Sequence, residues 1–250
     1  SATSGTSATT TAASATRHDH GPGDLAADLA KALNLDKATV QAALEANRPA
    51  QGQPPTDAQK ASLAAIAVAN KRGIPWVLDP VFVDRSPPRA AFAKKLVAKH
   101  PSAIRLNLAE FETLTGGKSG ADALARYAKA RRAVVGLTGE RDLVCDQDRV
   151  ATIANGHPLM ARVTAMGCAA SALVGACLAV EPDAWRATVS ALIVIGVAGE
   201  VAAPRARGPG SFAGEILDAI HGLDRDALLL QIGEYIADDG IPVVRRTEIR

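Results

Sequence analysis

The sharpest chemical signal in the sequence is a tight turn that leads into an uncharged helix. The segment from Asn155 to Cys168 reads NGHPLMARVTAMGC, with a glycine directly before the final cysteine. Such a turn aims several backbone N–H groups at one point, where they and the helix dipole stabilise an anion, including the charge that builds up in phosphoryl transfer. Cys168 could then accept a proton from an attacking alcohol, because the dipole favours a thiolate. A buried helix start with an inert, packed cysteine is the open alternative.

Two acidic residues follow predicted strands. Asp79 comes directly after the apolar run IPWVL, and Glu110 lies on the first helical turn after the strand 103–106. Ligands bind beyond the carboxyl ends of parallel strands, so both carboxylates could hold Mg²⁺ directly or through water. Arg105 adds a fixed donor for a nucleotide phosphate. Structural interpretations stay open, since Asp79 could cap its own turn and Asn107 with Glu110 completes a capping box.

The elements that must position these residues alternate between helix and strand. We predict strands at 74–78, 103–106 and 133–137, a hairpin of 142–145 with 149–153, and helices at 57–72, 88–99, 107–115, 121–131, 168–180, 183–202 and 211–223. Gly73 is expected to end the first of these helices in a left-handed conformation. The alternation predicts an α/β fold with a mostly parallel central sheet and helices on both faces.

The first 56 residues differ from the rest in composition. Residues 1–23 are small, polar and of low complexity, which is typical of a disordered segment. Residues 24–47 predict two short helices, the second capped by Asp36, and a linker rich in Pro, Gly and Gln follows at 47–57. We therefore predict an N-terminal segment over 1–56 that is not part of the core, and a core over 57–250.

Bulk composition excludes several classes of protein. The 250 residues are 48% hydrophobic but 3% aromatic, so the core must consist of aliphatic side chains, and a net charge of +2 argues against a nucleic-acid partner. Three cysteines without a CxxC pair and no secretory signal predict a cytoplasmic protein. Residues 163–180 carry no charge; a buried helix is favoured there over a membrane span, with a membrane-associated hairpin of 163–200 as an alternative.

Taken in order, the motifs resemble the hydroxyethylthiazole kinase family. The resemblance rests on GHPLMARVTAMGC, on SALVGACLAV and GVAGEVAAPRARGPGSF after it, and on VLDPV and IRLNLAEF before it. The order and spacing match over about residues 60–225, and the combination is far more specific than any single motif. The resemblance implies a ribokinase-like fold and an ATP- and Mg²⁺-dependent kinase of hydroxyethylthiazole, a small thiazole alcohol of thiamine salvage, assembled as a homotrimer with sites between subunits.

The resemblance also assigns roles by position. Arg105 and Thr138 would contact ATP, and Asp79 and Glu110 would serve Mg²⁺. The backbone amides of the turn would form the anion hole, with Cys168 as the candidate base; the turn consists of Ala165, Met166, Gly167 and Cys168.

The chain departs from the family pattern in two places. Many members have Gly-Thr where this chain has Ala165 and Met166, and Ala165 is the position expected against the thiazole. Residues 1–56 show neither the strand–helix unit nor the Met contact of the family's thiazole pocket. Two other functions therefore stay open: a non-catalytic scaffold that lacks the substrate half, and a related ribokinase-like kinase of another small alcohol.

Overall fold

The computed structural model describes residues 30–31, 34, 36–40, 56–117, 120–226, 228, 235–238 and 241–244. By its internal contacts the chain divides into two units, Ser1–Gln53 and Pro54–Arg250. In the first unit residues 37–40 are helical, and the Thr39 N–H donates to Asp36 Oδ1 at 2.8 Å, which confirms the cap predicted at Asp36. The other predictions for residues 1–55, including the low-complexity segment and most of the linker, lie outside the described residues.

A seven-stranded sheet forms the centre of the second unit. Its strands are β1 (Val77–Leu78), β2 (Ala103–Asn107), β3 (Val134–Thr138), β4 (Asp142–Cys145), β5 (Val150–Ile153), β6 (Tyr235–Asp238) and β7 (Ile241–Val244), in the order β1-β2-β3-β4-β5-β7-β6. The pairings β1–β2, β2–β3 and β5–β7 are parallel, and the other three are antiparallel. The sheet is therefore more mixed than predicted, because the loops 139–141 and 146–149 are too short for the crossover that parallel neighbours need.

Two features of the sheet differ from the sequence prediction. Strand β1 covers Val77–Leu78 rather than 74–78. Strands β6 and β7 follow the last helix, where no strand was predicted, and Ile153 of β5 pairs with Val244 of β7. Both strands are only four residues long, and the sequence DDG between Ala237 and Ile241 is a hairpin signal that the prediction passed over.

Seven helices of the second unit accompany the sheet in its described part. They are α1 (Asp57–Arg72), α2 (Pro87–Val97), α3 (Leu108–Thr115), α4 (Ala121–Arg131), α5 (Met166–Leu178), α6 (Ala184–Ala202) and α7 (Pro209–Gly222). Each of the seven predicted helices is present with ends shifted by a few residues. Gly73 ends α1 with φ 66°, as predicted for a left-handed cap. Local capping signals thus located the helices well.

Helices cover both faces of the sheet, as predicted. One face packs against α5, α6 and α7 through residues such as Val174, Leu192 and Phe212. The opposite face packs against α2, α3 and α4 through Leu96 and Phe111 among others. Both cores are mainly aliphatic, in line with the low aromatic content. The α/β class is therefore confirmed.

The most apolar helix belongs to this core. Among the described residues, the segment Ala184–Arg205 is long and apolar enough to cross a membrane by length and composition, but 67% of it is buried inside the protein. The uncharged stretch 163–180 supplies only the 13-residue helix α5, which packs against α6. This burial is what a core helix shows, and it favours the buried-helix interpretation over the membrane hairpin.

Candidate active site

Three polar side chains leave the sheet at one edge and on one face. Val77 of β1 pairs with Ala103 of β2, so Asp79 and Arg105, each two residues further along, share a face because side chains alternate along a strand. Thr138 is the last residue of the next strand, β3. The face they share is the one covered by α5, and the edge is the carboxyl end of the parallel strands, where ligands bind in open α/β sheets.

Arg105 is held at the centre of this group. Its Nη2 donates to Thr138 Oγ1 at 2.5 Å, and its Nη1 lies 3.8 Å from Asp79 Oδ1. The side chain is only 13% exposed, and its Nε is buried without a hydrogen-bond partner. The guanidinium is therefore held in place by Thr138 and Asp79, while some of its N–H groups remain available to donate to a ligand.

Asp79 has two unequal oxygens. Oδ2 accepts a hydrogen bond from Ser171 Oγ at 2.8 Å, whereas Oδ1 is buried and has no hydrogen-bond partner in the described part of the chain. No hydrogen bond from Asp79 to its own turn accompanies these contacts, so the alternative that it is a turn cap finds no support. A buried carboxylate oxygen without a partner is costly unless a ligand satisfies it. Mg²⁺, which prefers carboxylates, phosphates and water, fits this oxygen.

Glu110 is above all a structural carboxylate. It is 3% exposed, and its two oxygens accept backbone hydrogen bonds from Phe82 N at 3.0 Å and from Asn107 N at 2.9 Å. The Asn107 side chain accepts in turn from Glu110 N, so the predicted capping box of α3 is confirmed. The bond to Phe82, whose φ is 58°, also ties down the loop that follows Asp79. Only the remaining lone pairs of Glu110 could reach a hydrated ion.

The predicted turn forms the start of α5. Its N-cap is Ala165 in a left-handed conformation (φ 66°), and no side chain caps the helix. The N–H groups of Met166, Gly167 and Cys168 belong to the first helical turn and therefore have no partner within the helix. Cys168 is exposed, so it is not packed in the core as the alternative expected. Uncapped amides beside an exposed thiol leave this helix end open to an anion.

The turn touches the polar group on the sheet. A Cβ added to Gly167 would collide with Arg105 Nη1 and lie 3.0 Å from Arg105 Cζ. The guanidinium therefore lies directly against the backbone of the first turn of α5. The structure thus brings Asp79, Arg105, Thr138 and the turn at Gly167 together, and Glu110 joins them only through the loop at Phe82.

The loop before the turn is fastened to α6. Glu200 Oε1 accepts from Gly156 N at 3.0 Å, and a Cβ on Gly196 would approach the Asn155 carbonyl oxygen to 2.7 Å. His157 Nδ1 accepts from Leu159 N at 3.2 Å, so this side chain helps to shape the loop. Sequence reasoning missed Glu200, although it lies inside the GVAGE motif. The close approach explains why that motif contains glycine.

A second carboxylate lies within electrostatic reach of Arg105. Burial raises the pKa of Asp142 from 3.8 to about 6, against the opposing effects of a hydrogen bond from Gly139 N and the charge of Arg105. Asp142 begins β4, directly after the turn that follows Thr138. The burial of Asp142 could not be predicted from the sequence, because an Asp beside a turn is common on surfaces.

The other cysteines and the cavities lie apart from this group. Cys145 is fully buried, and burial raises the pKa of its thiol to about 11, so it packs as a small hydrophobic residue. Two cavities of about 380 and 480 Å³ are lined by residues around Leu178 and around Tyr127, respectively. None of the site residues lines either cavity. The unsatisfied polar atoms, rather than cavity size, mark the candidate site.

Comparison with known proteins agrees with the motifs. The chain matches the model of the hydroxyethylthiazole kinase family over residues 36–226. It is 44% identical to a hydroxyethylthiazole kinase of Cereibacter sphaeroides over 178 residues, which cover 66% of this chain and 68% of that protein. A hydroxyethylthiazole kinase of Granulibacter bethesdensis is 42% identical over 185 residues, with 69% of this chain and 67% of that protein covered.

A solved structure supports the same relationship. The hydroxyethylthiazole kinase protein from Pyrococcus horikoshii superimposes with a TM-score of 0.66 and 30% identity over 71% of each chain. The ribokinase-like fold class expected from the motifs is therefore confirmed. The family match begins at residue 36, earlier than the residue 60 expected from the motifs, so part of the segment 1–56 lies within the family's range. The chain belongs to the hydroxyethylthiazole kinase family and is a kinase with ATP as the phosphate donor.

Proposed function

We propose that this chain transfers the γ-phosphoryl group of ATP to the primary alcohol of hydroxyethylthiazole in thiamine salvage. The observation that carries the proposal is the position of Arg105, which contacts Thr138, lies near Asp79 and packs against Gly167 at the uncapped start of α5. Phosphoryl transfer depends mainly on positioning and charge stabilisation, and this arrangement can supply both.

Arg105 and Thr138 act on the nucleotide. The guanidinium is already oriented by its bond to Thr138 Oγ1, so little side-chain entropy is lost when it meets a phosphate. Its buried Nε has no protein partner to give up. Charge-assisted bonds from a fixed guanidinium to phosphate oxygens hold the transferred group in place.

Asp79 supplies the metal side of the site. Its free Oδ1 takes the ion directly or through water, and Glu110 contributes only through its remaining lone pairs. When bound, Mg²⁺ neutralises charge on the β- and γ-phosphates. Because Asp79 and Arg105 lie at the same sheet edge, a cation held by Asp79 and the guanidinium would act on the same phosphates.

The start of α5 acts on the group in transfer. The amides of Met166, Gly167 and Cys168 stabilise negative charge on the phosphoryl oxygens through their hydrogen bonds and the helix dipole. The exposed Sγ of Cys168 takes the proton from the attacking alcohol as the new bond to phosphorus forms. Ala165 lies against the thiazole ring. Asp79 is held by Ser171 of the same helix, so both halves of the site share α5.

The proposal also covers the oligomeric state and the cellular location of the chain. The chain works as a cytoplasmic homotrimer with sites between subunits, as its resemblance to the family implies. Light scattering of the purified chain tests the trimer. Two rivals remain: a scaffold that binds nucleotide without turning it over, and a kinase of another small alcohol.

A coupled ADP-release assay separates these possibilities. Hydroxyethylthiazole as acceptor should give ADP release that depends on the alcohol, and a panel of related alcohols and pyridoxal should react more slowly. Nucleotide binding without alcohol-dependent release would select the scaffold, and a faster alcohol in the panel would select the other kinase. Cys168→Ser should lower the rate and leave nucleotide affinity unchanged.

A further inference from the structure

Ser171 makes an unusual contact for a serine inside a helix. It lies on α5, four residues after Gly167, and its Oγ donates to Asp79 Oδ2 at 2.8 Å, across 92 positions of the chain. A helical serine commonly donates back to the carbonyl four residues earlier. Ser62 of α1 does so, with its Oγ 2.8 Å from the Ala58 carbonyl oxygen. A hydroxyl has one hydrogen to donate, and that of Ser171 goes to Asp79.

This single bond makes the two oxygens of Asp79 unequal. Oδ2 accepts from Ser171, whereas Oδ1 is buried, accepts no hydrogen bond among the described residues, and forms only a long ion pair with Arg105 Nη1 at 3.8 Å. Without the hydroxyl, rotation of the carboxylate would let either oxygen approach the guanidinium. A closer ion pair with Arg105 would then compete with any cation for Asp79.

We propose that Ser171 is a positioning residue that orients the Asp79 carboxylate, so that Oδ1 stays available to the divalent cation of a nucleotide complex instead of closing onto Arg105. The inference rests on the proposed function through the metal role of Asp79. The hydroxyl also joins that carboxylate to α5, whose first amides would bind the phosphoryl group, so the residues that would hold the cation and the anion keep a fixed separation.

A purely structural role is the alternative. In that case Ser171 would only fasten α5 to the end of β1, and its loss would lower stability without affecting the metal. Helix α5 already packs against β1 near Gly175 and Val77. The two roles predict different results for a variant that lacks the Ser171 hydroxyl. If Ser171 orients Asp79, the loss of nucleotide affinity depends on the cation; if Ser171 only fastens α5, it does not.

Calorimetry with a non-hydrolysable ATP analogue tests the proposal without any acceptor. The full chain and the variants Ser171→Ala, Ser171→Thr, Asp79→Asn and Ser171→Ala/Asp79→Asn are titrated with and without Mg²⁺, with Ser62→Ala as the matched control. Loss of a hydrogen bond to a charged group predicts that Ser171→Ala weakens the Mg²⁺-dependent affinity about tenfold. Metal-free affinity should be unchanged, threonine should restore the affinity, and the double variant should bind no more weakly than Asp79→Asn.

Two results would overturn the inference, and they are distinguishable. If Asp79→Asn weakens Mg²⁺-dependent binding but Ser171→Ala does not, Ser171 is only a structural contact. If Asp79→Asn has no effect either, the metal role of Asp79 is wrong and the orienting role of Ser171 is wrong with it. Neither result depends on phosphoryl transfer to the thiazole alcohol, which the ADP-release assay measures separately.

Discussion

The guanidinium of Arg105 occupies the space where a side chain at Gly167 would begin. This contact joins the polar end of strand β2 to the first turn of α5, two elements that are far apart in the chain but pack against each other in the fold. It makes glycine necessary at this position for steric reasons, since Gly167 is not among the residues with a positive φ. Thr138 and Asp79 contact Arg105, and Ser171 contacts Asp79, so the polar side chains at the sheet edge are connected to this pair.

Gly167→Ala should weaken nucleotide binding while leaving the stability of the protein almost unchanged. The new Cβ displaces the flexible end of Arg105, so we expect ATP affinity to fall at least about tenfold while the free energy of unfolding changes by no more than about 1 kcal/mol. Gly175→Ala on the same helix is the matched control, because its Cβ meets only Val77 Cγ2 at 4.0 Å. It should gain about 1 kcal/mol from helix propensity and keep its ATP affinity. If Gly167→Ala and Gly175→Ala bound ATP with equal affinity, the contact between Arg105 and Gly167 would have no role in nucleotide binding.

Ala165→Gly should stabilise the protein. Ala165 is an exposed residue with φ 66°, a conformation that costs a non-glycine residue about 1 kcal/mol. Glycine removes that cost but adds unfolded-state entropy, so we expect a net gain of up to about 1 kcal/mol in urea unfolding. Ala64→Gly, at an exposed position within α1, should instead lose about 1 kcal/mol. A loss of similar size at both positions would rule out strain at the turn.

Asp142 should make stability decrease with rising pH. Its pKa is about 6 in the folded protein and 3.8 ordinarily, so the folded state holds the proton more tightly. The contribution of protonated Asp142 to the free energy of unfolding is therefore fully present below about pH 4. It is lost as the pH rises from about 4 to 6. At about 1.4 kcal/mol per pKa unit the loss is roughly 2–3 kcal/mol, as an upper bound.

Asp142→Asn tests this effect. The amide keeps an acceptor for Gly139 N, so the variant should gain about 2 kcal/mol at pH 8 and little at pH 4, measured by urea unfolding. Glu140→Gln, an exposed carboxyl on the same turn, should show no such difference. A gain that is the same at both pH values would show that burial of the charge is not the cause.

Glu200 should matter for the loop that enters the turn. Glu200→Ala leaves Gly156 N–H without its partner, which predicts a loss of about 1–3 kcal/mol in the free energy of unfolding and a raised KM for the alcohol. Glu200→Gln retains one acceptor oxygen and should lose less. Thermal unfolding and steady-state kinetics measure the two effects. An alanine variant as stable and as active as the parent would mean that the loop is fixed by other contacts.

Sequence reasoning predicted local features well. The capping box of Asn107 and Glu110 and the left-handed cap at Gly73 are determined by neighbours within a few residues, and both are present. The motif order also located Arg105 and Gly167, because strand ends and helix starts meet at one sheet edge. The weak points are the short strands: β1 is shorter than its apolar run, since pairing and not hydrophobicity sets its length.

The contacts that complete the site could not be predicted in this way. Ser171 meets Asp79 across 92 positions, and Glu200 meets Gly156 across 44. A serine within an apolar helix suggests a bond to its own backbone, and a glutamate near a helix end suggests solvent. Their actual partners depend on how α5 and α6 pack against the sheet, which the local sequence does not specify. Glu110 illustrates the converse, because its residue type fits a metal ligand while both of its oxygens already accept backbone hydrogen bonds.

Phosphorus NMR of the complete reaction tests the central claim most directly. With Mg²⁺, hydroxyethylthiazole and sub-saturating ATP, the chain should produce one phosphate-monoester signal of the thiazole alcohol for each ADP formed. Gly167→Ala should form this product at least about tenfold more slowly, while Gly175→Ala keeps the parent rate. ADP that appears together with inorganic phosphate and no monoester, or a Gly167→Ala variant that forms the monoester at the parent rate, would contradict the account.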